Sequence, residues 1–462
     1  MKKLIYTILI GGILTSTMAC RKYVEVPPLQ TKLLVNAVDY QQLLQNTTDI
    51  DPAYYLPLFS GDDVGTQEAT WQTSLTGFNA PLGNAYTWAA KYYGALEEDG
   101  DWQIAYKQIF IYNTIVQGVM GSTGSEVDKQ KALSSALVQR AFMYHMLVNM
   151  YANQYDATTA AADPGVPLLL EPKFTTDLTR ASVQQVYEKI KMDVLAAIPG
   201  LPDLPEVNSN ASKASAYALL ARIYLNTREF TEAGRYASLS LGLKNTVLDL
   251  NTYKSTNVPV VAFPNRIANG EEILFKRTRV YPSVLPLSAD AVSMYDQAND
   301  LRWSLFTMPG ASIQFNNFTI SRGYFRPRLA NDGTYVGLSV PEVLLIKAEC
   351  EARAGNTGAA LAILNDFRKK RFNNATTYID LTAGSADAAL RLVIDERKRE
   401  FVGRGYRWFD QRRLSKDAGF VSTVTRVFNG TTYTLAPGSN RYVYPIADKN
   451  ITQNPEITQN PR

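Results

Sequence analysis

Small and apolar residues recur at spacings of three and four along most of the chain, and that period predicts helices. The clearest stretch is ASKASAYALLARIYLNTREFTEAGRYASLSLGL. Ala214, Tyr217, Ala218, Ala221 and Tyr224 share one helical face. After a turn at residues 226–229, Phe230, Ala233, Ala237 and Leu241 answer from a second helix. Small residues on facing helices let the two axes come close, so the pair predicts a tight hairpin. VPEVLLIKAECEARAGNTGAALAILNDFRKKRF repeats the arrangement. Pro341 sits in its first turn, and Val343, Ile346, Cys350 and Ala354 form the face. Gly355-Asn356 turns the chain, and Ala360, Ile363, Leu364 and Phe367 return.

Both units resemble tetratricopeptide repeats, whose hairpins cannot bury their apolar faces alone and must stack. Further helices are expected at DWQIAYKQIFIYNTIVQGVM, KALSSALVQRAFMYHMLVNMYANQYD and SVQQVYEKIKMDVLAAI. Ser182 is placed to cap the last of these and Pro199-Gly200 to stop it. A short first helix, VNAVDYQQLLQN, starts near Asn36 or Asp39, and ADAALRLVIDERKREF forms the last long one. The expected fold is mostly α, a scaffold of helical hairpins with little β. Two segments break the period, residues 49–101 and roughly 250–340. Both are rich in Gly, Pro, Asn and aromatics and read as long irregular insertions, apart from a strand at ILFKRTRV. Long loops in compact domains usually carry function.

The N-terminus changes the picture. MKKLIYTILIGGILTSTMAC has a basic start, an apolar run and a close on small residues and Cys20, the layout of a secretory signal. Thr17-Met18-Ala19-Cys20 resembles a bacterial lipobox, which would make Cys20 the lipid attachment site and the membrane relation an anchor, not a span. RKYVEVPPLQ then reads as an extended tether. The organisation expected is a signal at 1–19, the acylated Cys and tether at 20–35, and a single domain at 36–462. Its first part (36–249) carries repeat-like helices, and its second (250–462) the loop insertion and closing helices.

Composition adds limits. Hydrophobic residues make up 46% of the 462-residue chain and charged residues 19%, a globular balance. The net charge of +4 includes Lys2 and Lys3 of the signal, so neither charge nor any basic block suggests nucleic acid. With Cys20 lipidated, Cys350 has no disulfide partner and reads as a small buried hydrophobe. The single His, His145, lies in an aromatic helical stretch and reads as core, which removes His-rich zinc sites. No ordered Asp/Asn/Glu loop predicts calcium, and no cofactor is called for.

The closing region is dense in charge. Glu396 and Arg399 are three apart, and Arg399 is four from Asp395. Arg407 and Arg412 are expected to pair with Asp410, Glu400 or Glu396 in a structural ion network. LVIDERKREFVGRGYRWFDQRR resembles the E-R-x-x-E-F-x-x-E-G-x-R-W-F-D-x-x-R motif of the SusD/RagB family of Bacteroidetes outer-membrane lipoproteins. Cys20, the helix beginning DWQIAYKQIFIYN, the pair beginning VPEVLLIKAE and the tail YPIADKNITQNPEITQNP match other family features in the same order. The chain departs from the pattern at Arg404, where Glu is usual, and at Ala447, where Pro is usual. Arg21-Lys22 also stands where surface-displayed members often carry acids.

The resemblance implies a surface lipoprotein facing the exterior. It would capture oligosaccharides, or peptides in some branches, for a SusC-like TonB-dependent β-barrel transporter, without catalysis. A sugar binder wants flat aromatic faces beside bidentate polar groups. The first irregular segment offers Asp62, Asp63, Trp71, Asn84, Tyr86 and Trp88; the second offers Tyr281, Arg302, Trp303 and Arg326. The alternative of another class is a glycoside hydrolase built on two loop carboxylates.

Overall fold

The computed structural model describes residues 34–173, 177–254, 263–280, 284–313, 317–325 and 333–462. Cys20, Tyr281 and Arg326 lie outside the described residues. About half of the chain is helical. The principal helices are α1 (Ala37–Gln45), α2 (Gly100–Gly118), α3 (Glu126–Tyr151), α4 (Val183–Ala197), α5 (Lys213–Asn226), α6 (Phe230–Leu243), α7 (Val340–Arg353), α8 (Thr357–Lys369), α9 (Ala386–Glu400) and α10 (Tyr406–Leu414).

Their starts are set by side-chain caps. Asn36 and Asp39 act together at α1: the Asn36 side chain accepts from Asp39 N–H, and the Asp39 carboxylate accepts from Asn36 N–H. Ser182 and Gln185 make the same reciprocal cap at α4. Asp99 caps α2 and Ser212 caps α5. From α2 onward the helices pack as a run of neighbours: α2 on α3, α3 on α4, α5 on α6, α6 on α7, and α7 on both α8 and α9. The α6–α7 contact joins the two repeat-like hairpins across almost a hundred intervening residues. Gly234 faces Cys350 there, where a Cβ on the glycine would lie 3.2 Å from the Cys350 Cβ. The close approach predicted within the first hairpin is realised between α5 and α6, where Ser240 Oγ donates to Ala214 O at 2.8 Å. Cys350 is buried in the α6–α7 contact, and burial pushes its thiol up to about 12.

The irregular segments differ from expectation. Residues 49–101 contain the short helices Pro57–Ser60, Ala69–Ser74 and Ala80–Tyr86. None is long enough for a 3.6-residue period to show in sequence. The strands are β1 (Pro164–Pro167), β2 (Arg180–Ser182), β3 (Glu272–Leu274), β4 (Leu285–Pro286), β5 (Thr307–Pro309), β6 (Arg322–Tyr324), β7 (Leu338–Ser339), β8 (Val424–Phe428) and β9 (Thr431–Leu435). β1 pairs with β2 and β3 with β7, while β4-β6-β5 form a three-stranded sheet. The strand expected at ILFKRTRV shrinks to β3. The β8–β9 hairpin turns on Asn429 (φ 48°) and Gly430 (φ 78°), the pair of positive φ angles that a two-residue turn of type I′ requires.

The closing ion network forms with different partners. Arg399 pairs with Glu396 at 3.0 Å, and Asp395 takes Lys398 instead. Glu396 and Glu400 are met by Arg302 at 2.8 and 3.0 Å, Glu400 also by Arg371 at 2.9 Å, and Glu396 also by Arg368. Asp410 binds Arg397 and Arg413, at 3.1 and 2.7 Å. Arg407 reaches Asp62 at 2.6 Å, and Arg412 donates to the Ala152 carbonyl. Five residues turn a helix through about 500°, so Arg407 and Arg412 point to faces about 140° apart and cannot both address α9. Among the described residues, no helix is long and apolar enough to cross a membrane.

Candidate functional site

The helical run leaves its loops to build a groove of about 610 Å³ that no residue of α2–α8 lines. One wall is the segment 62–67, which follows the Pro57–Ser60 helix. Gly65 N–H donates to Pro286 O and Val64 bridges Leu287, so residues 64–65 run beside β4, with Asp62 and Asp63 in the turn before them. Asp62 faces the groove, while Asp63 turns inward and accepts from Gly403 N–H at 2.8 Å. A second wall is the short helix Ala289–Ser293, which presents Asp290. A third is the open edge of β8. Ser321 and Arg322 close the groove beside β6. A recess of about 330 Å³ adjoins it, shares Asp62, Asp290 and Ser422, and adds Lys398, Arg407 and Phe420.

The walls are held by charge. Arg407 donates twice to Asp62, at 2.6 and 2.8 Å. Burial alone would raise the Asp62 carboxyl, but the guanidinium outweighs it and holds the group below its usual range. Asp63 has no such fork. Burial and the neighbouring Asp62 charge push it up to about 6. Glu68 gathers the backbone N–H groups of Thr319, Ile320 and Ser321 at 2.6, 2.9 and 2.8 Å, tying that loop to the first segment. Those three amides outweigh desolvation and hold Glu68 down to about 2.

β8 is fastened through Arg426. Its guanidinium lies 4.0 Å from the ring centroid of Tyr86 and 4.5 Å from that of Trp88. It donates to the carbonyls of Phe59, Gly61, Val64 and Tyr86. Gln72 Nε2 donates to Val427 O at 2.7 Å and pins the strand's far end.

This arrangement sorts the sequence candidates. Asp62 lines the groove, and Asp63 lines only the adjoining recess. Tyr86 forms part of the wall but is buried under Arg426, and Trp71 packs edge-on against it at 5.0 Å. Trp88 is buried, with Nε1 donating to Ser60 O. Asn84 donates to Tyr92 O. Arg302 is fully buried among Asp300, Glu396 and Glu400, so it belongs to the ion network and presents no face to a ligand. Trp303 is half-buried, with the Arg322 guanidinium 3.5 Å from its ring centroid. The aromatic platform expected in the first segment is instead an inward-facing cluster. Asp290, Arg322 and the edge of β8 were missed. Only the hairpin announced itself, through Asn429-Gly430 between alternating residues.

The groove is lined by the aliphatic hydroxyls of Thr66, Ser288, Ser321, Ser422, Thr423 and Thr425, the carboxylates of Asp62 and Asp290, the Gln67 amide and the guanidinium groups of Arg322 and Arg426. Such a surface exchanges hydrogen bonds with a polyhydroxylated ligand. His145 lies elsewhere, beside an enclosed cavity of about 40 Å³ in the helical core. That cavity has room for a water or two and no more. Burial pushes His145 down to about 3, as befits a core histidine. The described residues contain no group of three His, Cys, Asp or Glu side chains placed to hold a metal ion.

A SusD-like family model described as starch-binding and associating with the outer membrane matches residues 22–225, and a SusD family model matches residues 340–462. SusD-like protein P2 of Formosa agariphila is 24% identical over 367 residues, 68% of this chain and 71% of that protein. SusD-like protein P38 of the same organism is 24% identical over 193 residues, 40% of this chain, and the chain spans only 36% of its length. A SusD superfamily crystal structure from Bacteroides thetaiotaomicron superposes with a TM-score of 0.74 at 20% identity, covering 93% of this chain and 100% of that one. A laminarin-binding SusD-like protein superposes with a TM-score of 0.63 at 16% identity, covering 92% and 99%.

Proposed function

The chain belongs to the SusD/RagB family, and from that premise we propose that it is a carbohydrate-binding protein of the outer-membrane surface that takes up oligosaccharide in the groove beside β8. The observation that carries this reading is the groove itself, an open, hydroxyl-lined space of about 610 Å³ mounted on the loop side of a rigid helical scaffold. The laminarin-binding neighbour supports the ligand class. Ligand contacts are assigned to Asp62, Asp290 and Arg322, with Trp303 holding the Arg322 guanidinium in place from beneath. The chain is held by lipid on Cys20, faces the exterior, and delivers its ligand to a SusC-like TonB-dependent β-barrel.

The reading has no catalytic step. Asp63 is the carboxyl beside the groove raised toward the range of a general acid, and it is buried and held by Gly403. Titration of the purified protein with a panel of neutral and acidic oligosaccharides tests the binding. Saturable binding with no product release is expected; sustained hydrolysis of a bound glycan would replace the binder with a hydrolase. Co-purification of a large β-barrel from outer membranes tests the transporter partnership.

One observation favours a second reading. In β8, Val427 O points away from β9, toward Gln72, and so does the backbone two residues earlier at Thr425. An extended peptide could pair with that edge. Competition between a bound peptide and a bound glycan would decide between the two.

A further inference from the structure

We propose that the groove selects acidic glycans, and that Arg322 is the residue that pairs with a carboxylate or sulfate on the sugar. The inference rests on the reading of this groove as a glycan site and adds the class of glycan.

Many arginines in this protein are matched with acids, while Arg412 and Arg426 spend their guanidinium groups on buried carbonyls. Arg302, Arg368, Arg371, Arg397, Arg407 and Arg413 each pair with at least one carboxylate. Arg322 does not. Its Nε donates to Thr307 Oγ1, and its Nη2 donates to the carbonyls of Trp303 and Thr307 at 2.7 and 3.2 Å. All three acceptors are neutral. Nη1 makes no hydrogen bond among the described residues, and no carboxylate there pairs with the group. Burial without a counter-charge pushes Arg322 down to about 10.

The geometry is that of a prepared receptor. Stacking on Trp303 and the bonds to residues 303 and 307 fix the guanidinium plane while it lines the groove. A fixed planar fork suits bidentate pairing with a carboxylate or sulfate, and little side-chain entropy remains to be lost. The acids nearby do not supply the missing charge. Asp62 is committed to Arg407, and Glu68 to three backbone amides. Asp290 is exposed on its own helix. A ligand that presents an anion to Arg322 and hydroxyls to Asp290 satisfies both, and acidic sugars carry both groups.

The test is calorimetric titration of the full mature chain with three length-matched probes: an oligogalacturonate, a sulfated galactan oligosaccharide and a neutral β-glucan oligosaccharide. At least one acidic probe is expected to bind tenfold or more tighter than the neutral one, and to weaken as salt rises from 50 to 500 mM. Which acidic probe binds distinguishes carboxylate from sulfate. Arg322→Gln should erase the preference for the acidic probe over the neutral one, and Arg322→Lys should keep part of it. The salt dependence of the unaltered protein holds the test open if the variants fold poorly. Equal or tighter binding of the neutral probe, without salt dependence, would overturn the acidic selection and leave the glycan reading standing. Binding of none of the probes, or of an acidic peptide in their place, would overturn both.

Discussion

The guanidinium of Arg426 lies 4.5 Å from the ring centroid of Trp88, a residue held at a φ of 52°. A non-glycine residue at positive φ is strained, and its surroundings must hold it there. Here the cation on one face of the indole and the Ser60 carbonyl at its Nε1 do so. Arg426 thus joins the β8–β9 hairpin to the 59–88 segment and sets the width of the groove between them. Arg426→Ala would leave four carbonyls and two aromatic faces without their cation. A loss of roughly 3–5 kcal/mol in urea unfolding is expected, by analogy with breaking a buried charged group's contacts. Arg426→Lys should restore little, because a single ammonium cannot reach four carbonyls as the planar fork does.

The two tryptophans that sequence reading treated alike should behave oppositely. Trp71 is buried and packs edge-on against Tyr86. Trp71→Ala should cost roughly 3–5 kcal/mol of stability, the range for a large aromatic removed from a core. Trp303 is half-buried beneath Arg322. Trp303→Ala should leave thermal unfolding within a few degrees and weaken ligand binding about tenfold. Parallel melting and titration of both variants check this; equal loss of stability in the two would remove Trp303 from the site.

Glu396 should make the protein acid-sensitive. Burial opposes its charge, but Arg302, Arg368 and Arg399 overcome that and hold it down to about 2, below its ordinary value of 4.5. A folded pKa below the unfolded one contributes stability above about pH 4.5, and that stability is lost as pH falls toward 2. Glu396→Gln leaves three guanidinium groups short of a partner and should cost roughly 3–5 kcal/mol at pH 7. The variant's unfolding free energy should also vary less between pH 4.5 and 2 than that of the unaltered chain.

Much of the scaffold was legible because it is periodic. Ala214 to Leu241 and Val343 to Phe367 repeat every three or four residues over whole helices, and caps such as Asn36 and Ser182 sit at a fixed offset. The groove has no such regularity. Its walls come from residues 62–67, 287–292, 320–322 and 422–427, and nothing local in the chain says that these meet. Trp71, Tyr86 and Trp88 looked like ligand platforms because loop aromatics resemble binding surfaces in composition. Arg426, more than three hundred residues away, turns Tyr86 and Trp88 into a structural stack. Arg407 shows the same limit: helical spacing placed its partner on α9 or α10, yet the partner is Asp62, 345 positions earlier.

Asp63 gives the prediction with the opposite sign. Its carboxyl is buried beside Asp62, one oxygen accepts from Gly403 N–H, and the other has no hydrogen-bond partner. Burial, then the Asp62 charge, push it up to about 6 from its ordinary value of 3.8. Between those two values the folded chain holds a proton that the unfolded chain has released. Stability therefore falls as pH rises from about 4 to 6 and levels off above. Asp63→Asn removes the charge, keeps an oxygen for Gly403, and turns an amide toward the unpaired side. At pH 7 the variant should be as stable as the unaltered chain or more so, by up to about 2–3 kcal/mol, with no advantage at pH 4. Urea unfolding at pH 4, 5, 6 and 7 measures the difference directly. A variant less stable at pH 7, with an unchanged pH slope, would mean that Asp63 is ionised in the fold and shares Arg407 with Asp62. The recess beside the groove would then carry a second negative charge facing the ligand.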